Sequence, residues 1–96
     1  MMNEHRLIEG CARHNGKAQH LLYDKYSAFL LGICLRYSGD RPEAEDILKE
    51  CFIRIFSIIE DFKKKGSLEE WLRNVAVTTA IAHYLKNHKP THDIEN

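Results

Sequence analysis

The sequence predicts an all-α fold, a compact bundle of about four helices. Apolar residues recur at spacings of three and four, the period of a helix, and no stretch alternates long enough to indicate a strand. Glycine-containing turns separate the periodic segments. With 96 residues, the chain has room for one small core. We therefore expect a single domain over residues 1–89 and a frayed tail over residues 90–96.

The first two predicted helices meet at an asparagine-glycine turn. Residues 4–13 fit a short helix, which residues 14–16 should break because Asn-Gly is a strong turn signal. A longer helix should follow over about residues 17–37 and end at Ser38 and Gly39. Its predicted apolar stripe comprises Leu21, Leu22, Phe29, Ile33 and Cys34.

The third predicted helix has the clearest start in the chain. Asp40 can cap the free amides, and Glu43, three residues on, can complete a capping box. Pro42 fits the first turn, where no intrahelical hydrogen bond is lost. We expect the helix to run to Glu60 or Asp61. Its core-facing residues are predicted to be Ala44, Ile47, Leu48, Cys51, Phe52, Ile55, Phe56 and Ile59.

A basic loop precedes the fourth predicted helix. Residues 62–66 read Phe-Lys-Lys-Lys-Gly, and Ser67 with Glu70 forms a second capping-box pattern. The helix should fade before Pro90, because a residue that precedes proline is disfavoured in helical conformation. Its predicted apolar residues are Leu68, Trp71, Leu72, Val75, Ile81 and Tyr84.

Composition excludes several classes of protein. With 44% hydrophobic and 29% charged residues, the chain is typical of globular domains and too charged for a membrane protein. No segment approaches the length of a membrane span, and the first residues contain no apolar run of signal-peptide length, so we expect a cytoplasmic protein. The formal net charge is zero, so a nucleic-acid partner must be argued from where the charges lie.

The side chains that could bind metal or catalyse a reaction form no recognised pattern. The chain has an odd number of cysteines, Cys11, Cys34 and Cys51, and they lack paired-ligand spacing. We therefore predict neither a disulfide framework nor a zinc knuckle, with Cys34 and Cys51 as buried thiols. His88 and His92 have helical ligand spacing, but a proline between them would break the helix. The other four histidines have no acidic or cysteine companions at ligand spacing, which predicts surface roles for His5, His14, His20 and His83. There is no phosphate-binding glycine loop or nucleophile motif, so we expect no cofactor and no enzymatic activity.

Four segments occur in a particular order with short connections. They are residues 22–26 (LYDKY), 35–37 (LRY), 44–52 (AEDILKECF) and 67–77 (SLEEWLRNVAV). Together they resemble region two of the sigma-70 family, specifically its extracytoplasmic-function group, over residues 17–89. This resemblance implies a helical domain with two functional faces. One binds the clamp helices of the largest subunit of core RNA polymerase, and the other captures the non-template strand of the promoter −10 element as the duplex opens.

The helix that begins at Asp40 resembles the polymerase-binding helix of that family. The resemblance assigns Asp46, Lys49 and Glu50 to the polymerase contact. The spacing of these residues and Arg54 also predicts a polar ridge beside the buried stripe. Such a ridge is, without the resemblance, typical of a solvated helix face. Lys49 replaces the glutamine that is usual in the family, which would retune the contact.

Single-stranded DNA binding requires cations for the phosphates and surfaces that hold unstacked bases. The second half of the chain offers both, and the predicted DNA-binding residues are Lys63, Lys64, Lys65, Trp71, Arg73, Asn74, Thr78, Lys86 and Lys89. Trp71, Asn74 and Thr78 share one side of the fourth helix. The resemblance implies a pocket for a flipped base here, although Thr78 replaces the family's usual asparagine. Core packing for Trp71 and a solvated loop for the lysines are the alternatives.

The functional hypothesis is therefore a sigma factor domain that stabilises promoter opening by binding. We find no counterpart of the helix-turn-helix domain that sigma factors of this group use at the −35 element, so we expect weak DNA binding by this chain alone. The main alternative is a helical protein-interaction module that binds a regulator such as an anti-sigma factor and has no DNA binding of its own. A small enzyme subunit is a more distant alternative.

Overall fold

The computed structural model describes residues 3–62 and 66–88. No strand occurs within those two ranges, and the all-α prediction is confirmed. The four α-helices are α1 (Glu4–Ala12), α2 (Gly16–Arg36), α3 (Arg41–Ile58) and α4 (Leu68–His88). A 3-10 helix over Ile59–Asp61 continues α3, so the helical segment ends where the sequence predicts. The predicted tail over residues 90–96 lies outside the described residues.

The turn between α1 and α2 brings the two helices into close contact. His14 has a positive φ of 62°, and the Asn15 side chain accepts a hydrogen bond from the Ala18 amide at 2.9 Å. Asn15 therefore caps α2, which begins at Gly16, one residue earlier than predicted. A Cβ atom added at Gly10 would lie 2.6 Å from the Ala18 Cβ, so the absence of a side chain at Gly10 permits this packing.

The two helix starts with a predicted capping box, those of α3 and α4, both have side-chain caps. The Asp40 carboxylate accepts a hydrogen bond from the Glu43 amide at 2.9 Å, and the Ser67 hydroxyl accepts one from the Glu70 amide at 3.0 Å. Glu43 does reach back, but its carboxylate accepts from the Gly39 amide at 2.7 Å. The contact thus forms one residue before the position that a standard capping box uses.

The core lies where α2, α3 and α4 meet, with α1 packed on α2 and on the 3-10 helix. The predicted stripe of α3 is buried throughout except for Phe56, which is half-buried. Three residues predicted to lie on the apolar sides of their helices are exposed instead: Leu21, Ile81 and Tyr84. The structure instead buries Leu30, Ala76, Thr79 and Ala80.

The rotation of α4 about its axis explains the error at Ile81. Each residue turns the helix by about 100°, so the line of buried positions that includes Leu72, Ala76 and Ala80 leaves Ile81 on an adjacent, exposed side. The buried residues of α4 that were not predicted, Ala76, Thr79 and Ala80, are small, which lets the helix approach its neighbours closely there. A pattern based on large apolar residues therefore does not predict their burial.

None of the helices in the two described ranges combines the length and apolar composition that crossing a membrane would require.

Candidate interaction surfaces on helices α3 and α4

The polar ridge of Asp46, Lys49, Glu50 and Arg54 is exposed along the outer side of α3. Ile53 lies among these residues with 71% of its surface accessible, the largest value among the exposed large hydrophobic residues. An apolar side chain surrounded by charged ones is typical of the centre of a protein interface. The sequence interpretation missed Ile53, although its position four residues after Lys49 placed it on the ridge.

An apolar groove borders the ridge on the side of α2. Its volume is about 680 Å³, and Lys49 and Ile53 form part of its edge. The aromatic rings of Tyr23 on α2 and Phe52 on α3 line the groove and pack together, with centroids 4.8 Å apart. This groove gives Lys49 of the ridge an apolar neighbour, which the sequence interpretation did not anticipate.

A second groove, of about 480 Å³, lies between the ridge and α4. Glu50 and Arg54 line it from α3, and His83 and Lys86 line it from α4. The residues predicted for a polymerase face and one of the cations predicted for DNA thus share a groove. They are not buried against each other, because Glu50, Arg54 and Lys86 are all exposed.

A smaller cavity of about 200 Å³ lies farther along the same pair of helices. Three residues of α4 line it: Trp71, Asn74 and Thr78, whose spacing predicted that they share one side of that helix. Arg54 and Ile58 contribute from α3. We call this the Trp71 cavity. It combines an aromatic ring, an amide, a hydroxyl and a guanidinium, the groups that stack on bases, form hydrogen bonds with them and neutralise phosphate.

Trp71 also has a packing role. It is half-buried, and its ring lies 5.6 Å from that of Phe62, centroid to centroid. One part of the indole therefore holds the end of the α3 segment against α4, while another part faces the Trp71 cavity. Core packing, the alternative role for Trp71, therefore describes part of this side chain, and its role in DNA binding stays a prediction.

The two other predicted DNA-binding residues within the described ranges, Arg73 and Lys86, do not line this cavity. The Arg73 guanidinium lies 5.1 Å from the centroid of the Phe29 ring on α2. Arg73 is two residues after Trp71, about 200° around the helix, which explains its separation from the cavity. Lys86 lies in the second groove. The lysines Lys63, Lys64, Lys65 and Lys89 lie outside the described residues.

The surface role predicted for His83 is wrong. Its side chain is only 13% exposed, and its Nε2 and Nδ1 atoms lie 3.5 Å from carboxylate oxygens of Glu43 and Glu50, respectively. Both partners belong to α3, more than thirty residues away, so no spacing within one helix could indicate them. His20 does remain at the surface, beside Asp24 at 3.2 Å. Within the described part of the chain, no group of three or more potential ligands has the arrangement for a metal ion.

The sequence profile of the family described as Sigma-70 region 2 matches residues 22–89. The chain is similar to the RNA polymerase sigma-H factor of Pseudomonas aeruginosa, with 32% identity over 80 residues, covering 83% of this chain and 42% of that protein. It is also similar to the ECF RNA polymerase sigma-E factor of Haemophilus influenzae, with 30% identity over 79 residues, covering 82% and 41%. The chain therefore spans about two fifths of the length of these relatives.

A solved structure has the same fold. It is an engineered region 2 of sigmaE, determined by NMR in complex with GTAAAA, with a TM-score of 0.79 and 23% identity, covering 99% of this chain and 100% of the other. The profile match spans most of α2 and all of α3, together with the described length of α4, the helices that form the ridge, the grooves and the Trp71 cavity. The chain belongs to the sigma-70 region 2 family.

Proposed function

We propose that this chain is the region-two domain of a bacterial sigma factor, which binds core RNA polymerase and holds the opened −10 element of a promoter. The observation that carries the proposal is the exposed ridge on α3 beside the Trp71 cavity, both within the segment that matches the family. The domain acts by binding, without a catalytic step of its own. It works in the bacterial cytoplasm, with polymerase and promoter DNA as partners, and an anti-sigma factor would compete for the same surfaces.

Asp46, Lys49 and Glu50 are the residues that we assign to the clamp helices of the largest polymerase subunit. Their exposure supports this role, because a partner can reach all three without disturbing the core. Ile53 adds an apolar contact at the centre of the charged group, where burial against a partner contributes most to affinity. Arg54, which the sequence assigned to this same face, lines the Trp71 cavity, so we now assign its guanidinium to the DNA.

The Trp71 cavity is the proposed site for an unpaired base. Asn74 offers both a donor pair and an acceptor, whereas Thr78 offers a single hydroxyl. The indole of Trp71 supplies an aromatic surface at the same place. We assign Arg73, Lys86 and the lysines Lys63, Lys64, Lys65 and Lys89 to phosphates outside the cavity, where their charge adds affinity without reading sequence.

Promoter opening follows from differential binding. A domain that binds the unpaired strand more tightly than the duplex shifts the equilibrium towards the open form by the difference in binding free energy. A preference of about 1.4 kcal/mol changes the ratio of open to closed DNA roughly tenfold. The polymerase supplies the catalytic site and further contacts with DNA.

A binding assay with core polymerase tests the protein-facing half of the proposal. The double variant Asp46→Lys/Glu50→Lys should bind at least about tenfold more weakly, because charge reversal opposes the complementary surface. Glu9→Lys/Asp24→Lys is the matched control, since it changes the net charge equally at exposed positions on α1 and α2. Equal binding by the two double variants would contradict the assignment. Intact polymerase binding with loss of anti-sigma binding would favour the interaction-module alternative.

A further inference from the structure

Two of the three cysteines lie side by side between α2 and α3. The Sγ atoms of Cys34 and Cys51 are 3.9 Å apart, and both residues are fully buried. The third cysteine, Cys11 on α1, is equally buried and takes no part in this contact. A disulfide needs a separation of about 2.05 Å, so the two sulfurs would have to approach by a little less than about 2 Å.

We propose that Cys34 and Cys51 form a reversible disulfide when the folded protein meets a hydroperoxide. The pair is then a modification site that links α2 covalently to α3. This inference goes beyond the sigma factor function and does not depend on it, because neither thiol belongs to the ridge or to the Trp71 cavity. It rests on the contact of two sulfurs that the sequence separates by seventeen positions.

The two thiols differ in how readily they ionise. The hydrogen bond with Cys51 lowers the pKa of Cys34, because the Cys51 S–H stabilises the Cys34 thiolate. The same hydrogen bond, together with burial, raises the pKa of Cys51. Burial alone raises the pKa of Cys11 to about 11. Since the thiolate is the reactive form, Cys34 is the sulfur that reacts first, Cys51 is its resolving partner, and Cys11 is the inert thiol of the three.

The groove between α3 and α4 leads towards the pair. Thr79 lines this groove, and its buried hydroxyl lies beside Cys51, where it favours the Cys51 thiolate without forming a hydrogen bond of standard geometry. The opposite wall of the groove is formed by polar side chains such as Glu50 and Arg54, so water has access up to that point. A local opening of α4 at Thr79 would admit a molecule as small as hydrogen peroxide to the sulfurs.

The reaction has two balanced steps. The Cys34 thiolate attacks one oxygen of hydrogen peroxide and breaks the O–O bond, which gives Cys34 sulfenic acid and a hydroxide that takes up a proton to form water. The Cys51 thiol then loses its proton, attacks the Cys34 sulfur and displaces hydroxide, which leaves as a second water. Two thiols are oxidised to one disulfide, and the peroxide is reduced to two waters.

Thiol counting by mass spectrometry tests the proposal on the unmodified chain. The folded protein is treated with hydrogen peroxide, quenched, unfolded in guanidinium and alkylated. We expect the number of alkylated thiols to fall from three to one, with the label on Cys11 and a peptide that joins Cys34 to Cys51. Dithiothreitol should restore three. Three alkylated thiols after oxidation, a pairing that includes Cys11, or mainly intermolecular disulfides would overturn the proposal.

Two further measurements separate the folded pair from unspecific oxidation. The variant Cys11→Ala removes the inert thiol and should form the same disulfide at the same rate. A sample oxidised in concentrated guanidinium should contain all three possible pairings, because the contact between α2 and α3 is then lost. Selective Cys34–Cys51 pairing that persists equally after unfolding would show that the fold is not its cause, and the proposal would fail.

Discussion

The Nε2 atom of His83 on α4 lies 3.5 Å from the Oε2 atom of Glu43 on α3. The other oxygen of the same carboxylate accepts a hydrogen bond from the Gly39 amide at 2.7 Å, just before α3 begins. Glu43 thus contacts both the backbone just before its own helix and the last third of α4. His83 extends the connection to Glu50 on the ridge, so this histidine couples the position of α4 to the surface that we assign to the polymerase.

We expect His83→Ala to lower the free energy of unfolding by about 1–2 kcal/mol, because it removes two polar contacts from a mostly buried site. His20→Ala is the control. It removes an exposed contact with Asp24 and should change stability by less than about 0.5 kcal/mol. Urea denaturation of both variants measures the difference. Equal losses would indicate that the bridge between α3 and α4 contributes nothing.

Gly10→Ala should destabilise the contact between α1 and α2. Its new Cβ would lie 2.6 Å from the Ala18 Cβ, so the two helices must separate, at a cost of about 1–3 kcal/mol. Gly32→Ala makes the same chemical change on α2, where nothing lies within 4 Å of the added atom. That control should stabilise the protein by about 0.5–1 kcal/mol through its higher helix propensity. Thermal unfolding of the pair should therefore give shifts of opposite sign.

Ile53→Ala tests the apolar contact in the proposed polymerase face. The residue is largely solvent-exposed, so we expect the melting temperature to stay nearly constant while polymerase affinity falls about tenfold. Leu85→Ala shortens another exposed apolar side chain, on α4 and outside the ridge, and should leave both quantities unchanged. Titration of fluorescently labelled domain with core polymerase provides the measurement. Similar affinities for the two variants would remove Ile53 from the interface.

Asn74→Ala tests base recognition in the Trp71 cavity. Fluorescence anisotropy with a library of single-stranded −10 oligonucleotides, in the presence of core polymerase, should show that preference for the best sequence falls by about 1–3 kcal/mol. Asn87→Ala is the matched control, because that exposed amide donates to the His83 carbonyl and lies outside the cavity. An unchanged ranking of oligonucleotides in the Asn74 variant would exclude Asn74 from base reading.

Changing Lys63, Lys64 and Lys65 to alanine should weaken binding to all oligonucleotides alike. Each lost phosphate contact reduces the slope of log affinity against log salt by about 0.7 for a single strand, so the slope should flatten by up to about 2. Changing Lys17, Lys25 and Arg36 to alanine removes the same net charge from exposed positions on α2 and provides the control. Salt titrations of anisotropy give the slopes. If the triple variant keeps the original slope, the loop lies outside the DNA site.

The starts of α2, α3 and α4 were predictable because their signals are local. Asn15, Asp40 and Ser67 each cap an amide three residues away, and such short-range contacts depend little on the rest of the fold. The common side of Trp71 and Asn74 was predictable for the same reason, because helical geometry alone determines it. Family membership was likewise indicated by short motifs in order along the chain, and the match over residues 22–89 confirms it.

The way in which the helices pack against one another could not be predicted from such local signals. The exposure of Ile81, the contact of Cys34 with Cys51 and the glutamates around His83 all depend on how far each helix is rotated about its axis and on which helix it packs against. The place of Arg54 in the Trp71 cavity has the same origin. The rotation of each helix and its packing partner are determined by the packing of whole helix faces, which minimises voids across the core.

The sequence by itself thus determined the helices, the caps of α3 and α4, the family and the residues of the ridge, because each is encoded in neighbouring residues or in their order. Only the tertiary structure decided which ridge residues face α2 and which face α4, and which thiols and charges meet in the interior. These contacts join positions seventeen to forty residues apart, and they form only once the apolar faces of the helices are buried together.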